Sequence, residues 1–293
     1  MSIVLSGRLP ASEEAPMEDI SKLEHVRRRH VGRFIGAAMI AAFGVWVAVA
    51  FAHGQIEWPV VAKFLTAHNI LAGLGNTVLM AALAMLLGIA IGVIVAIMRL
   101  SENPVLNWAA AVYVWFFRGV PSLLQLLLWF NLALIFPTIG IPGLFELRTV
   151  DVMTPFVAAL FGLGINQGAY TSEVVRAGLL SVDQGQYEAA SAIGMHRLQA
   201  LRRIILPQAM RMILPPIGNE LIGMVKWTSL ASVIQFSEMI HNVQDIYYVN
   251  NHVIELLIVA AIWYLVVVTA LSVCQQRLER HFARGAGRAT QRA

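Results

Sequence analysis

The 293-residue chain has a mean hydropathy of +0.69, with 58% hydrophobic residues and only 13% charged ones. A soluble domain carries about 25% charged residues, so a water-soluble globule is excluded; the apolar runs parted by short charged stretches describe a polytopic membrane protein. The net charge of +4 comes from Arg clusters beside apolar runs, as cytoplasmic loops keep them, and no nucleic-acid reading motif accompanies it.

Residues 1–33 form a polar tail of mixed charge, with Pro10, Pro16 and the acidic pair Glu13-Glu14, which predicts disorder with a short helix from Met17 onward. The first apolar run, Phe34 to Ala52, follows Arg27-Arg28-Arg29 and Arg33 and predicts a transmembrane helix. A cleaved signal peptide ending at Ala48-Val49-Ala50 is the alternative; the 33 residues ahead of the run and its length argue against it. The second span, Ile70 to Met98, ends at Arg99 and the turn-like Ser101-Glu102-Asn103-Pro104. Val105–Phe117 and Ser122–Phe136 are each short for a crossing and are parted by Arg118-Gly119-Val120-Pro121, so together they read as one broken span. A fourth span covers Thr154 to about Gly178. A fifth, Met212–Phe236, contains Asn219, Glu220 and Lys226, and Pro215-Pro216 predicts a helix break within it. The last runs from Val253 to Cys274, the single cysteine, so an intrachain disulfide is impossible.

With six spans and the N-terminus inside, 17 of the 21 Lys and Arg residues fall on the cytoplasmic side. Lys63 and Arg148 lie outside, and Arg118 and Lys226 within spans. Splitting the third span or omitting the fifth puts an Arg-rich segment on the wrong side. The expectation is an all-α membrane protein with both termini cytoplasmic.

Ser181–Pro207 reads SVDQGQYEAASAIGMHRLQALRRIILP. Asp183 three residues before Gln186 resembles a capping box. Tyr187–Arg203 lacks proline, and Ala189, Ala190, Ile193, Gly194 and Leu198 recur near helical spacing opposite Gln199, Arg202 and Arg203, predicting one amphipathic helix beneath the membrane. Periodicity alone leaves two roles open, an interfacial helix resting on headgroups or a docking surface for another protein.

The residues in order resemble the EAA loop of ABC importer permeases: Glu188-Ala189-Ala190, then Gly194, Ile204 and Leu206-Pro207. Gly168-Ala169-Tyr170-Thr171-Ser172-Glu173 is similar to the signature of the polar amino-acid branch. So are Arg118-Gly119-Val120-Pro121-Ser122-Leu123-Leu124-Gln125, Leu206-Pro207-Gln208-Ala209, Leu214-Pro215-Pro216 and Lys226-Trp227-Thr228-Ser229-Leu230. The resemblance implies a five-span permease core over 70–275 with a cytoplasmic coupling loop over 181–207. Residues 34–52 add an extra span, and 276–293 a basic cytoplasmic tail. It implies a bacterial inner-membrane location, two ATP-binding subunits that carry the ATP and Mg, a second permease copy or homologous permease, and an extracytoplasmic amino-acid-binding protein. No cofactor is implied on this chain. Coupling to the ATPase would fall to Tyr187, Glu188, Ala189, Ala190, Gly194, Arg197, Ile204, Leu206 and Pro207, with Glu188 near Arg groups and the small residues permitting close docking. The chain departs from the pattern at its N-terminus and at Trp227, where an acidic residue is common.

Ionisable groups at membrane depth are costly and normally face a protein interior or a wet cavity. Asn166, Tyr170 and Glu173 share one helix face, and so do Asn219, Gly223 and Lys226; Arg118 and Gln125 flank the break in the third span. With Glu220, these residues are candidates for the substrate pathway or for gating, the alternative being ion pairs that only pack helices. No phosphate loop, H-E-x-x-H or nucleophile elbow is present, so neither catalysis nor a metal site is expected. His25 and His30 sit in the basic tail, and His241 and His252 near the outer surface lack ligand-spaced partners. The rival functions are an ion-coupled secondary transporter or channel, and a membrane scaffold or sensor.

Overall fold

A computed structural model describes residues 31–141 and 144–283, so the expectations for residues 1–30 and for Arg284, Arg288 and Arg292 fall outside the described residues. The chain divides into two compact units, Met1–Ile56 and Glu57–Ala293. In the first, α1 (Val31–His53) has no polar side chain between Arg33 and His53. At 1.5 Å per residue it is about 34 Å long, enough to cross a hydrocarbon core of about 30 Å.

The second unit runs α2 (Trp58–Leu65), α3 (His68–Arg99), α4 (Pro104–Gly119), α5 (Ser122–Phe130), the strands β1 (Thr138–Ile141) and β2 (Phe145–Arg148), and α6 (Thr149–Val152). It continues with α7 (Pro155–Leu180), α8 (Gln184–Ala192), α9 (Arg197–Ala200), α10 (Leu206–Trp227), α11 (Met239–Asn250) and α12 (Val253–Ala283). Starts are set by proline and side-chain caps: Asn103 accepts from Val105 N ahead of Pro104, and Thr154 from Val157 N ahead of Pro155. Glu238 caps α11 by accepting from His241 N at 2.8 Å.

Among the described residues, α1, α3 and α12 are long and apolar enough to cross a membrane, and α4 with α5 makes a fourth crossing if the bent pair is one span. Helices α7 and α10, of 26 and 22 residues, have the length, about 39 and 33 Å, but not the apolarity. The central core joins Met80, Ala84, Leu126, Leu163, Met224 and Ile234, from α3, α5, α7, α10 and the 3-10 turn Thr228–Ile234.

The described chain is predominantly helical, as expected, with one exposed antiparallel hairpin, β1 with β2, in which Thr138 pairs with Arg148 and Ile141 with Phe145. Three expectations are corrected. Helix α5 ends at Phe130 and not Phe136, giving way to the 3-10 turn Leu132–Leu134. Pro215-Pro216 does not break α10, which runs through both residues from Leu206 to Trp227. The Pro215 carbonyl accepts from Gln275 Nε2 at 2.7 Å, which ties α10 to α12 beside the two prolines. Finally, the single helix expected over Tyr187–Arg203 is two, α8 and α9, parted by a turn at Ile193–His196.

Candidate functional sites

The turn between α8 and α9 follows from Gly194, whose φ is +73°. Gly194 N donates to Ser191 O and Met195 N to Ala190 O, both at 3.0 Å, the paired bonds of a Schellman motif closing α8. An L side chain is disfavoured at that φ whatever the space, and a Cβ there would meet nothing within 4 Å. Asp183 caps α8 by accepting from Gly185 N at 2.8 Å. The reciprocal half of the expected capping box does not form, because Gln186 Oε1 accepts from Gln208 Nε2 at 3.3 Å instead.

The expected coupling residues separate by exposure. Tyr187, Glu188, Ala189, Gly194, Arg197, Leu206 and Pro207 are exposed, Ile204 is half-buried and Ala190 is buried. Among the described residues Glu188 has no ion-pair partner within 4 Å. Tyr187, Ser191, Met195, Arg197, Leu201 and Ile205 line a cavity of about 360 Å³ between the two arms of the hairpin. A turn of π-helix, Leu201–Ile205, carries the chain into α10. Val182 before the hairpin and Ile205 after it pack with Ala96 of α3, Val175 of α7 and Ile213 of α10, so both ends are tied to the helix bundle.

At the break between α4 and α5 the axis bends by 101°. Pro121 has no N–H, so the Phe117 carbonyl loses its helical donor. Two buried amides replace it: Gln125 Nε2 at 3.0 Å and Asn166 Nδ2 at 2.8 Å. Gln125 Nε2 also reaches Val120 O at 2.8 Å, and Tyr113 Oη donates to Ile165 O at 2.5 Å. Gln125 and Asn166, expected on the pathway, thus sit at 2% exposure as the groups that close the break. Arg118 is exposed, with its guanidinium 5.2 Å from the centre of the Tyr170 ring, and Tyr170 meets Trp227 edge-on at 5.9 Å.

Towards the hairpin end of the bundle, Glu173 accepts from Arg176 Nη2 at 2.7 Å and lies 3.9 Å from Arg99 Nε. Glu173 is therefore in an ion-pair cluster joining α3 and α7. On α10, Asn219 and Lys226 are exposed and Glu220 is half-buried. Glu220 Oε2 accepts from Gln167 Nε2 at 2.6 Å and from Thr171 Oγ1 at 3.2 Å.

Gln167 and Thr171, both at most 1% exposed, are functional candidates that the sequence reading missed. The available signal was Gly88-Ile89-Ala90-Ile91-Gly92, a small-residue spacing that lets two membrane helices approach closely. A Cβ on Gly88 would lie 2.5 Å from Gln167 Cγ, and one on Gly92 2.7 Å from Thr171 Cβ. The glycines of α3 make room for the two side chains that hold Glu220. Among the described residues no group of three or more His, Cys, Asp or Glu side chains could hold a metal ion.

A helical bundle with a broken span, polar faces on two of its long helices and a hairpin tied to three of them defines a membrane permease subunit. Residues 88–284 match the family described as binding-protein-dependent transport system inner membrane component, and the chain belongs to it. It is 40% identical over 263 residues to the arginine transport system permease protein ArgU of Corynebacterium glutamicum, covering 89% of this chain and 83% of that one. It is 36% identical over 231 residues to the L-cystine transport system permease protein TcyB of Bacillus subtilis, covering 78% and 89%. Its fold is similar to a crystal structure of an amino acid ABC transporter with histidines, with a TM-score of 0.67 and 32% identity over 78% of this chain and 100% of that one. The chain is accordingly a multi-pass protein of the bacterial cytoplasmic membrane.

Proposed function

We propose that this chain imports an amino acid, working by alternating access with a second copy of itself or a related permease. In this reading an extracytoplasmic binding protein delivers the solute, and two ATP-binding subunits supply the energy through the hairpin over 181–207. The observation that carries the amino-acid assignment is the 40% identity to an arginine permease across 89% of the chain. Support for the coupling role comes from the hairpin itself. Its outer residues, Tyr187, Glu188, Ala189, Gly194 and Arg197, are exposed, while Val182 and Ile205 anchor it to α3, α7 and α10. A push on the outer face would therefore reach three helices at once.

The topology proposed is six spans with both termini cytoplasmic: an extra span over 34–52, a core over 70–275, and polar tails over 1–33 and 276–293. The basic-residue asymmetry supports it. The pathway would be lined by Arg118, Tyr170, Asn219, Glu220 and Lys226, with Gln125, Asn166 and Glu173 holding the helices that form it.

The test is reconstitution. Liposomes containing the chain with its ATP-binding subunits, given a loaded binding protein outside, should accumulate a radiolabelled amino acid only when ATP is inside. Uptake that continues without ATP but follows an imposed ion gradient would overturn the assignment.

A further inference from the structure

The hairpin of β1 and β2 sorts its side chains by face. Residues directly opposite one another in an antiparallel pair share a face, and successive residues along a strand alternate. The register pairs Ile139 with Leu147 and Ile141 with Phe145, so these four occupy one face. Thr138 with Arg148 and Gly140 with Glu146 make up the other. One face is therefore wholly apolar, and the other is polar or bare. Among the described residues nothing covers the apolar face: Ile141, Phe145 and Leu147 are each more than half exposed.

Helix α7 fixes where this hairpin lies. It starts at Pro155, just after the β-strands and α6, and ends at Leu180, just before the coupling hairpin. The two hairpins thus stand at opposite ends of a helix about 39 Å long. With the coupling hairpin cytoplasmic, the β-hairpin is at the outer surface. Its base is pinned by Thr149, which is fully buried: the Thr149 N–H donates to Pro137 O at 3.0 Å, and its hydroxyl donates to Phe136 O.

Three observations choose what covers the apolar face. Exposed apolar side chains run on from Leu124 and Leu128 of α5, in the bent pair that makes a span, through Leu134, Ile135 and Phe136 into the hairpin. The surface is thus continuous with that of a membrane-crossing segment. Secondly, a two-stranded sheet with four residues per strand is at best marginal in water unless its apolar face is buried. A soluble partner that comes and goes would leave that face in water between visits, whereas lipid is always present. Thirdly, both strands are edges, and the polar face carries Glu146 and Arg148, with Asp151 3.6 Å from Arg148. Unpaired edge groups and charges exclude the hydrocarbon interior. An element apolar on one side and charged on the other, with edges that need water, matches the boundary between acyl chains and headgroups.

We infer that the β-hairpin lies in the outer leaflet at that boundary, with Ile139, Ile141, Phe145 and Leu147 on the acyl chains and Glu146 and Arg148 among the headgroups. The inference rests on the topology proposed above, which sets the leaflet.

The test is nitroxide scanning in a Cys274→Ser background, which removes the single cysteine. Labels are placed by Ile141→Cys, Phe145→Cys and Leu147→Cys on one face and by Thr138→Cys, Glu146→Cys and Arg148→Cys on the other. Each variant is used where its thermal unfolding midpoint matches the parent. The full chain is reconstituted with its ATP-binding subunits in phospholipid nanodiscs, and collisions with oxygen, which enters acyl chains, are compared with those of a water-soluble nickel chelate. Oxygen should dominate at 141, 145 and 147 and the chelate at 138, 146 and 148, an inversion from one residue to the next along β2. Dominance of the chelate at all six positions would overturn the inference, since the apolar face would then be in water. Protection of 141, 145 and 147 from both reagents would also overturn it, because protein and not lipid would cover the face. Repeating the scan with loaded binding protein then tells that partner from a second permease. The topology is checked separately: Glu146→Cys in intact spheroplasts should react with a membrane-impermeant maleimide. Reaction only after lysis would strike the proposed orientation and leave the lipid contact standing in the other leaflet.

Discussion

Gly194 separates two physical accounts of the coupling hairpin. If the position needs a small residue for partner docking, alanine should serve and leucine should not. If it needs glycine for its backbone, alanine and leucine should be equally harmful. The φ of +73° selects the second account. A left-handed L residue costs roughly 1–2 kcal/mol, with Asn tolerated better than Ala. At about 1.4 kcal/mol per factor of ten, that is a roughly 5- to 30-fold loss in the population of the closed turn. The loss is measured by amide hydrogen exchange in the detergent-solubilised chain. The amides of Gly194 and Met195, bonded to Ser191 O and Ala190 O, should exchange about 5- to 30-fold faster in Gly194→Ala and Gly194→Leu alike. Gly194→Asn should lie close to wild type, and uptake should follow the same order. Wild-type exchange in Gly194→Ala with severe loss only in Gly194→Leu would refute the backbone argument and restore side-chain volume as the cause.

Four further outcomes follow from the bundle. Gln125→Leu strips the Val120 carbonyl of its side-chain donor and leaves the Phe117 carbonyl to Asn166 alone, so it should cost about 1–3 kcal/mol, read as a lower thermal unfolding midpoint in detergent. Adding Asn166→Leu should cost more than the two single losses together, since the Phe117 carbonyl is then without either amide. Gly88→Ala should destabilise the chain by about 1–3 kcal/mol, because the new methyl lies 2.5 Å from Gln167 Cγ; an unchanged midpoint would show that α3 and α7 separate freely. Tyr113→Phe removes the bond to Ile165 O and should cost about 1 kcal/mol by the same measurement.

The long helices were legible because their signals are local. Asn103-Pro104 and Thr154-Pro155 start α4 and α7, and long apolar runs define most of α3 and α12. Where tertiary contacts decide, the sequence misled. Pro215-Pro216 reads as a break from two missing donors, but α10 runs through both and is tied to α12 there by Gln275, sixty residues further on. The single helix over Tyr187–Arg203 fails for the opposite reason, since a periodicity of small residues conceals a glycine needed for its φ. Gln125 and Asn166 were recognisable as polar groups in a membrane span, yet only the fold shows that both turn to one carbonyl orphaned by Pro121. The hairpin of β1 and β2 left only a weak signal, the Pro142-Gly143 pair between strands of four residues each that are exposed throughout.

The same logic accounts for α7 and α10, which lack the apolarity of α1, α3 and α12 although they pack into the core. In α7 the residues that lower the hydropathy are Asn166, Gln167, Thr171 and Ser172, and all four are buried. Each has a partner: a backbone carbonyl for Asn166 and Ser172, Glu220 for Gln167 and Thr171. A lipid-facing helix could not carry them, because unsatisfied polar groups in hydrocarbon cost several kcal/mol each. Helix α10 is different in kind, since Asn219 and Lys226 are exposed while Glu220, half-buried, turns to Gln167 and Thr171 of α7. Low hydropathy thus has two causes in one bundle, internal packing in α7 and an unfilled polar face in α10. Only the second leaves chemistry available to a solute or to another permease.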